Sequence, residues 1–137
     1  MPGYRSGFVA GDPELIAALK RYRPNVGVAP QEFIQRAAVV AWSDEAHVSD
    51  VRAVYRAKRD VVLPAFEAAG FVSAGGDATF FLWLSGPEGA AEALLARGVV
   101  VAPGAYFGPA GDGYVRVALV PTLAECERAA DLIASLP

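Results

Sequence analysis

Ten of the twelve basic residues in this 137-residue chain are arginine, and only Lys20 and Lys58 are lysine. A guanidinium keeps its charge across the physiological pH range and presents a planar fork that meets two carboxylate or phosphate oxygens at once. Each arginine therefore raises the question of which anion could stand opposite it. Arg5 lies in Gly3-Tyr4-Arg5-Ser6-Gly7. The nearby glycines let a backbone or a bulky anion approach, which fits a phosphate and equally fits a plain turn. Arg116 lies in the run Tyr114-Val115-Arg116-Val117-Ala118-Leu119-Val120. Two-residue alternation places Tyr114, Arg116, Ala118 and Val120 on one face of a strand and Val115, Val117 and Leu119 on the other. Such an arginine either snorkels from a solvated sheet surface into water or grips a ligand carboxylate at the mouth of a cleft.

Other chemistries are poorly served. His47 falls at the exposed start of a helix and is read as having no acid or nucleophile nearby in sequence, which suits a surface role. Cys126 falls on the apolar stripe of the last helix, where a small buried hydrophobe is expected. Lys20 and Lys58 read as residues of polar helix faces, without the apolar setting that tunes a lysine for imine chemistry. One cysteine and one histidine cannot build a Cys/His cage, so no metal site is expected. The loop Gly108-Pro109-Ala110-Gly111-Asp112-Gly113 is rich in glycine but leads into a strand, whereas phosphate-cradling loops lead into a helix. It is expected to shape the approach to that strand. No residue reads as a catalytic nucleophile or general base.

The elements that must carry these residues follow from pattern. Tyr4–Ala10 reads as a short strand. Asp12 and Pro13 open a helix to about Tyr22. Glu32–Trp42 is a second helix, apolar enough to expect burial. Ser43 and Asp44 cap a long helix, about Glu45–Ala69, with an apolar stripe at Val48, Val51, Val54, Tyr55, Val62 and Phe66; Pro64 is expected to kink it and Gly70 to end it. The period then changes. Phe71–Ser73 and Thr79–Leu84 read as strands joined through Gly75-Gly76-Asp77, Pro87–Arg97 as a helix closed by Gly98, and Val99–Ala102 and Tyr114–Val120 as strands. Thr122 and Glu125 form a capping box ahead of a last helix striped by Leu123, Cys126, Ala130, Ile133 and Leu136. This is an α+β arrangement, with three or four strands packed against helices. The first strand stands about sixty residues from any other and has no evident partner, which invites self-association.

The bulk properties are consistent. With 54% hydrophobic and 20% charged residues, the chain is not a disordered one. Its net charge of -3 is the wrong sign for a protein whose main work is neutralising nucleic-acid phosphates. Every apolar run is shorter than the roughly 20 residues that span a bilayer, so no membrane is expected. A single cysteine suits a reducing cytoplasmic setting.

Three segments then resemble one family. Gly3-Tyr4-Arg5-Ser6-Gly7-Phe8 is similar to the segment after the Schiff-base lysine of fold-type I pyridoxal-phosphate aminotransferases, S-K-x-x-x-M-x-G-[WY]-R-x-G. Gln35-Arg36-Ala37-Ala38 resembles that family's Q-x-A-A stretch. Val101-Ala102-Pro103-Gly104, Phe107-Gly108 and Gly113-Tyr114-Val115-Arg116-Val117 resemble its C-terminal signature, P-G-x-x-F-G followed by G-x-x-R-[LV]. The wording of residues 3–12 and 25–38 is most similar to the succinyldiaminopimelate aminotransferases.

The resemblance implies that Arg5 binds the phosphate of pyridoxal 5'-phosphate, with Tyr4 near the cofactor or a dimer interface, and that Arg116 binds the substrate α-carboxylate. It implies a remnant of the large cofactor-binding domain over residues 1–44 and the small C-terminal domain, led by a long interdomain helix, over residues 45–137. Amino-acid and keto-acid substrates and a homodimer follow in the same way. By the family pattern Met1 aligns with the methionine inside the motif, so the cofactor lysine would stand about four residues earlier. The chain is thus expected to be the C-terminal part of an aminotransferase, inactive alone because the lysine is missing. The alternative is a non-catalytic α+β module for association or small-anion binding.

Overall fold

The computed structural model describes residues 3–27, 29–75 and 79–135. Met1, Val28, Gly76, Asp77 and Leu136, which figure in the readings above, lie outside the described residues. The chain divides into two compact units, Met1–Val48 and Ser49–Pro137, and each is described by itself.

In the first unit the expected strand Tyr4–Ala10 does not form. Gly3 (φ +88°) and Arg5 (φ +56°) turn the backbone left-handed, and no strand among the described residues pairs with the segment. Without a neighbour, the alternate N–H and C=O groups of a strand have nothing to bond. Helix α1 (Pro13–Tyr22) starts as its sequence dictates: the Asp12 carboxylate accepts hydrogen bonds from the Glu14 N–H at 2.9 Å and the Leu15 N–H at 3.2 Å. Helix α2 (Glu32–Trp42) forms, but only Ala38 is buried; Phe33, Val39, Val40 and Trp42 are exposed. Its apolar residues surround the helix, and a single neighbour covers only one stripe. The Phe8 ring meets Trp42 edge to face, with centroids 5.3 Å apart.

Helix α3 (Glu45–Ala68) continues on both sides of Pro64. Gly70 (φ +84°) ends it, with Phe71 N–H donating to the Phe66 carbonyl and Gly70 N–H to that of Glu67. The Phe66 and Phe71 rings meet edge to face across this cap, the apolar contact that goes with such a turn. The strands of the second unit are β1 (Val72–Ser73), β2 (Phe81–Ser85), β3 (Ala102–Pro103) and β4 (Tyr114–Ala118), ordered β1-β2-β4-β3 and antiparallel throughout. β2 begins two residues later than expected because Thr79 has φ +131°. The expected helix from Pro87 shrinks to α4 (Ala90–Leu95) because Gly89, at φ +72°, immediately precedes it. The expected strand Val99–Ala102 pairs only from Ala102, at its end.

One face of the sheet is the core. Leu82 and Leu84 of β2 and Val115 and Val117 of β4 are buried with Val62 and Phe66 of α3, Leu94 of α4, and Cys126 and Ile133 of α5 (Leu123–Ala134). The expected polar position of Lys58 is a correction. Lys58 is only 8% exposed, and its ammonium donates to the carbonyls of Leu119 at 3.2 Å and Val120 at 3.4 Å, over the Tyr55 ring. Those carbonyls follow the end of β4, and a buried lysine persists there because they supply acceptors.

The capping box at α5 is present: the Thr122 hydroxyl accepts from the Glu125 N–H at 3.3 Å, and the Glu125 carboxylate accepts from the Thr122 N–H at 2.7 Å. The Thr122 hydroxyl also donates to that carboxylate and, with the backbone N–H second, holds Glu125 below the ordinary carboxylate range. A carboxylate depressed in the folded state adds stability above its unfolded pKa and loses it as pH falls through the folded value. Thr122→Ala is expected to lower Tm by about 3 °C at neutral pH, and by less as the pH drops below about 4. Thermal melts at both pH values check this; an equal shift at both would contradict the coupling of the two side chains.

Candidate functional site

The face of the sheet opposite the core carries the candidate site. Antiparallel register sets Arg116 directly beside Trp83 on one side and Ala102 on the other. Strand alternation places Phe81, Trp83, Tyr114 and Arg116 together on this face, since Leu82, Leu84, Val115 and Val117 occupy the other. The guanidinium carbon lies 4.5 Å from the Phe81 ring centroid and 4.4 Å from that of Phe107. Arg116 thus lies against two aromatic rings at once. Trp83 stacks on Tyr114 at 5.4 Å and turns its ring 74° to Phe107 at 5.7 Å, so the aromatic residues brace one another.

Phe107 reaches this position through glycine geometry. It ends a 3-10 turn, Gly104–Phe107, followed by a second, Pro109–Gly111, with Gly108 (φ +116°) between them. The two turns touch backbone to backbone. A methyl added at Gly104 would strike the Gly111 carbonyl oxygen and come within 2.8 Å of that of Tyr114; one added at Gly111 would strike the Gly104 carbonyl. The glycine-rich loop therefore does shape the approach to β4, as its position before a strand implies.

The electrostatics of Arg116 are unusual for a half-buried arginine. Its Nε is buried and has no hydrogen-bond partner, and among the described residues no Asp or Glu pairs with it. An unsatisfied buried N–H costs about 1–3 kcal/mol, and a cation over an aromatic face recovers about 0.5–2 kcal/mol. Of the three guanidinium nitrogens only Nε is both buried and unpartnered, so the two Nη atoms remain free to meet an anion. Arg116 therefore lies against aromatic rings with its tip available, a geometry that both readings of it allow.

The other anticipated residues are placed as follows. Tyr4 and Arg5 adjoin one another at the start of the first unit, Tyr4 being 47% exposed and Arg5 exposed. His47 does have an acidic neighbour, contrary to the sequence reading. Its Nδ1 is 3.1 Å from the Asp44 carboxylate, which also accepts from the Ala46 N–H. That backbone bond, ahead of the His47 contacts, holds Asp44 below the ordinary range. The pair is exposed at a helix start and caps it. Cys126 is buried as expected, and burial pushes its thiol upward. Lys20 is an exposed residue of the last turn of α1.

The residues that sequence reasoning missed are Phe81, Trp83 and Phe107. Alternation along β2 and β4 could have put the first two beside Arg116 once the register was known. Phe107 appeared only as a letter of a motif. Among the described residues, no group of three His, Cys, Asp or Glu side chains could hold a metal ion, and no helix is long and apolar enough to cross a membrane.

Comparison with known proteins places this chain in a family. The family model described as aminotransferase class I and II matches residues 1–133. A probable aminotransferase of Mycobacterium tuberculosis is 40% identical over 125 residues, covering 89% of this chain and 30% of that protein. The LL-diaminopimelate aminotransferase of Nitratidesulfovibrio vulgaris is 35% identical over 143 residues, covering 99% of this chain and 37% of its own length. The solved structure of a probable N-succinyldiaminopimelate aminotransferase from Thermus thermophilus superposes with a TM-score of 0.69 at 32% identity, over 93% of this chain and 36% of that one. The chain thus spans about a third of the length of these relatives. With the family model matching residues 1–133, this chain is a member of the class I and II aminotransferases.

Proposed function

We propose that this chain is the C-terminal part of a pyridoxal-phosphate-dependent aminotransferase, in which Arg116 binds the α-carboxylate of the amino donor and of the keto-acid acceptor. The observation that carries the reading is the state of Arg116: a charged fork with a buried, unpartnered Nε, no acidic partner among the described residues, and an aromatic clamp. Residues 1–44 would belong to the large cofactor-binding domain and residues 45–137 to the small one. Glutamate is the proposed donor. The acceptor is a keto acid or aldehyde of the diaminopimelate type, such as N-succinyl-2-amino-6-ketopimelate, a reading supported by the names of two relatives. A homodimer working in the cytoplasm fits the same reading.

The residues present fit only one end of the cofactor. Arg5 offers an exposed guanidinium for the phosphate, with Tyr4 beside it. Neither lysine fits the other end: Lys58 is committed to two backbone carbonyls, and Lys20 is a surface residue of a short helix. When bound, the cofactor supplies the carbonyl that accepts and returns the amino group. This chain's part is to bind the substrate carboxylate, orient it and keep the guanidinium in place. No proton-transfer step is assigned to it.

The 137-residue chain is therefore expected to be inactive alone. Pyridoxal phosphate followed by borohydride should attach no stoichiometric label to one lysine, as read by mass spectrometry of the digested chain. One equivalent of label at Lys20 or Lys58 would contradict the proposal.

A further inference from the structure

We infer that Phe107 and Phe81 are positioning residues for carboxylate recognition, fixing the plane and direction of the Arg116 guanidinium so that only its Nη end meets the ligand. The inference rests on the reading that Arg116 binds a carboxylate, and it adds how the cation is prepared to do so.

An arginine side chain has four rotatable bonds and loses up to about 2 kcal/mol of rotamer freedom when held. In most sites a carboxylate or a set of carbonyls holds it. Here neither is present: no hydrogen bond to Arg116 forms among the described residues, and its Nε is buried without an acceptor. What holds the guanidinium is two ring faces at nearly equal distance, 4.5 Å to Phe81 and 4.4 Å to Phe107. Two rings packed against the group restrict its rotation, and covering Nε removes the side-on approach through Nε and one Nη. The approach that remains is end-on, through both Nη atoms.

The two rings differ in support. Phe81 belongs to β2 and packs on Phe80 at 4.3 Å, which in turn reaches Tyr55 of α3 at 5.8 Å. Phe107 is 52% exposed and is carried by the glycine turn, with its ring at 74° to that of Trp83. A ring this exposed adds little to the core. Its placement over the cation is therefore a matter of binding, and the clamp does its work before the ligand arrives, which lowers the ordering cost of binding.

The test compares Phe107→Leu, Phe107→Tyr and Arg116→Gln in the aminotransferase that contains this sequence. It reads kcat, KM for glutamate, the inhibition constant of glutarate and Tm. Phe107→Leu is expected to raise KM and the inhibition constant about fivefold, with kcat within twofold and Tm nearly unchanged. Phe107→Tyr, which keeps a ring face, should restore both constants, and Arg116→Gln should raise both far more than Phe107→Leu does. If Arg116→Gln weakens binding while Phe107→Leu leaves it unchanged, the positioning role is overturned and the carboxylate reading stands. If Arg116→Gln changes neither constant, both fall. A second measurement needs only the 137-residue chain. Hydrogen exchange at the Arg116 Nε–H, followed by NMR, should be slowed by the ring contacts and about tenfold faster in Phe107→Leu; equal rates would overturn the clamp.

Discussion

On the proposed reading, Arg116→Ala, made in a full-length enzyme carrying this sequence, should lower kcat/KM for amino donors by about a hundredfold or more. Truncating one partner of a charge pair held by hydrogen bonds costs about 2–5 kcal/mol, or roughly 30- to 4,000-fold. The effect falls within that range and not below it because, among the described residues, the guanidinium's neighbours are Phe81, Trp83 and Phe107, and none is cationic. The variant should fold. Arg116 makes no ion pair or hydrogen bond among the described residues, and alanine tolerates the strand, so the loss appears in steady-state kinetics and not in Tm. A kcat/KM for glutamate within threefold of the parent would remove Arg116 from the carboxylate site.

Gly111→Ala should lower Tm by about 10 °C. The added methyl would strike the Gly104 carbonyl, a backbone atom that no rotamer change can move aside. Overpacking costs about 1–3 kcal/mol even where side chains can yield, and a contact between two backbones belongs at the upper end. Relief requires the turns Gly104–Phe107 and Pro109–Gly111 to separate, which carries Phe107 away from Arg116. The same variant should therefore weaken carboxylate binding together with stability. Gly11→Ala is the control: its methyl meets nothing within 4 Å and no left-handed φ is involved, so Tm should hold. Equal melting points for Gly111→Ala and Gly11→Ala would show that the turns are not in backbone contact.

Local signals were legible in the sequence because their causes are local. Asp12 and Pro13 begin α1, Thr122 with Glu125 begins α5, and Gly70 and Gly98 end helices with left-handed φ. The alternation that isolates Arg116 from Val115 and Val117 is equally local. Lys58 was misread because its acceptors, the carbonyls of Leu119 and Val120, are 61 and 62 residues away in the chain. The Tyr4–Ala10 segment was read as a strand from its composition alone, and a strand forms only against another. The clamp was hidden for a related reason. Phe107 is nine residues from Arg116 and meets it only after two turns whose closeness depends on two glycines touching. The anion proposed for Arg116 comes from the resemblance alone; its aromatic contacts and unpartnered Nε became visible only in the fold.

The most direct measurement of the central claim is the discrimination between an amino donor and its decarboxylated analogue. If the proposed function holds, kcat/KM for glutamate in a full-length enzyme carrying this sequence exceeds that for 4-aminobutyrate by about a hundredfold or more, on the order of a charged bidentate contact, and Arg116→Ala should collapse the ratio to within about tenfold of unity. An unchanged ratio in Arg116→Ala would contradict the assignment of the α-carboxylate to this residue.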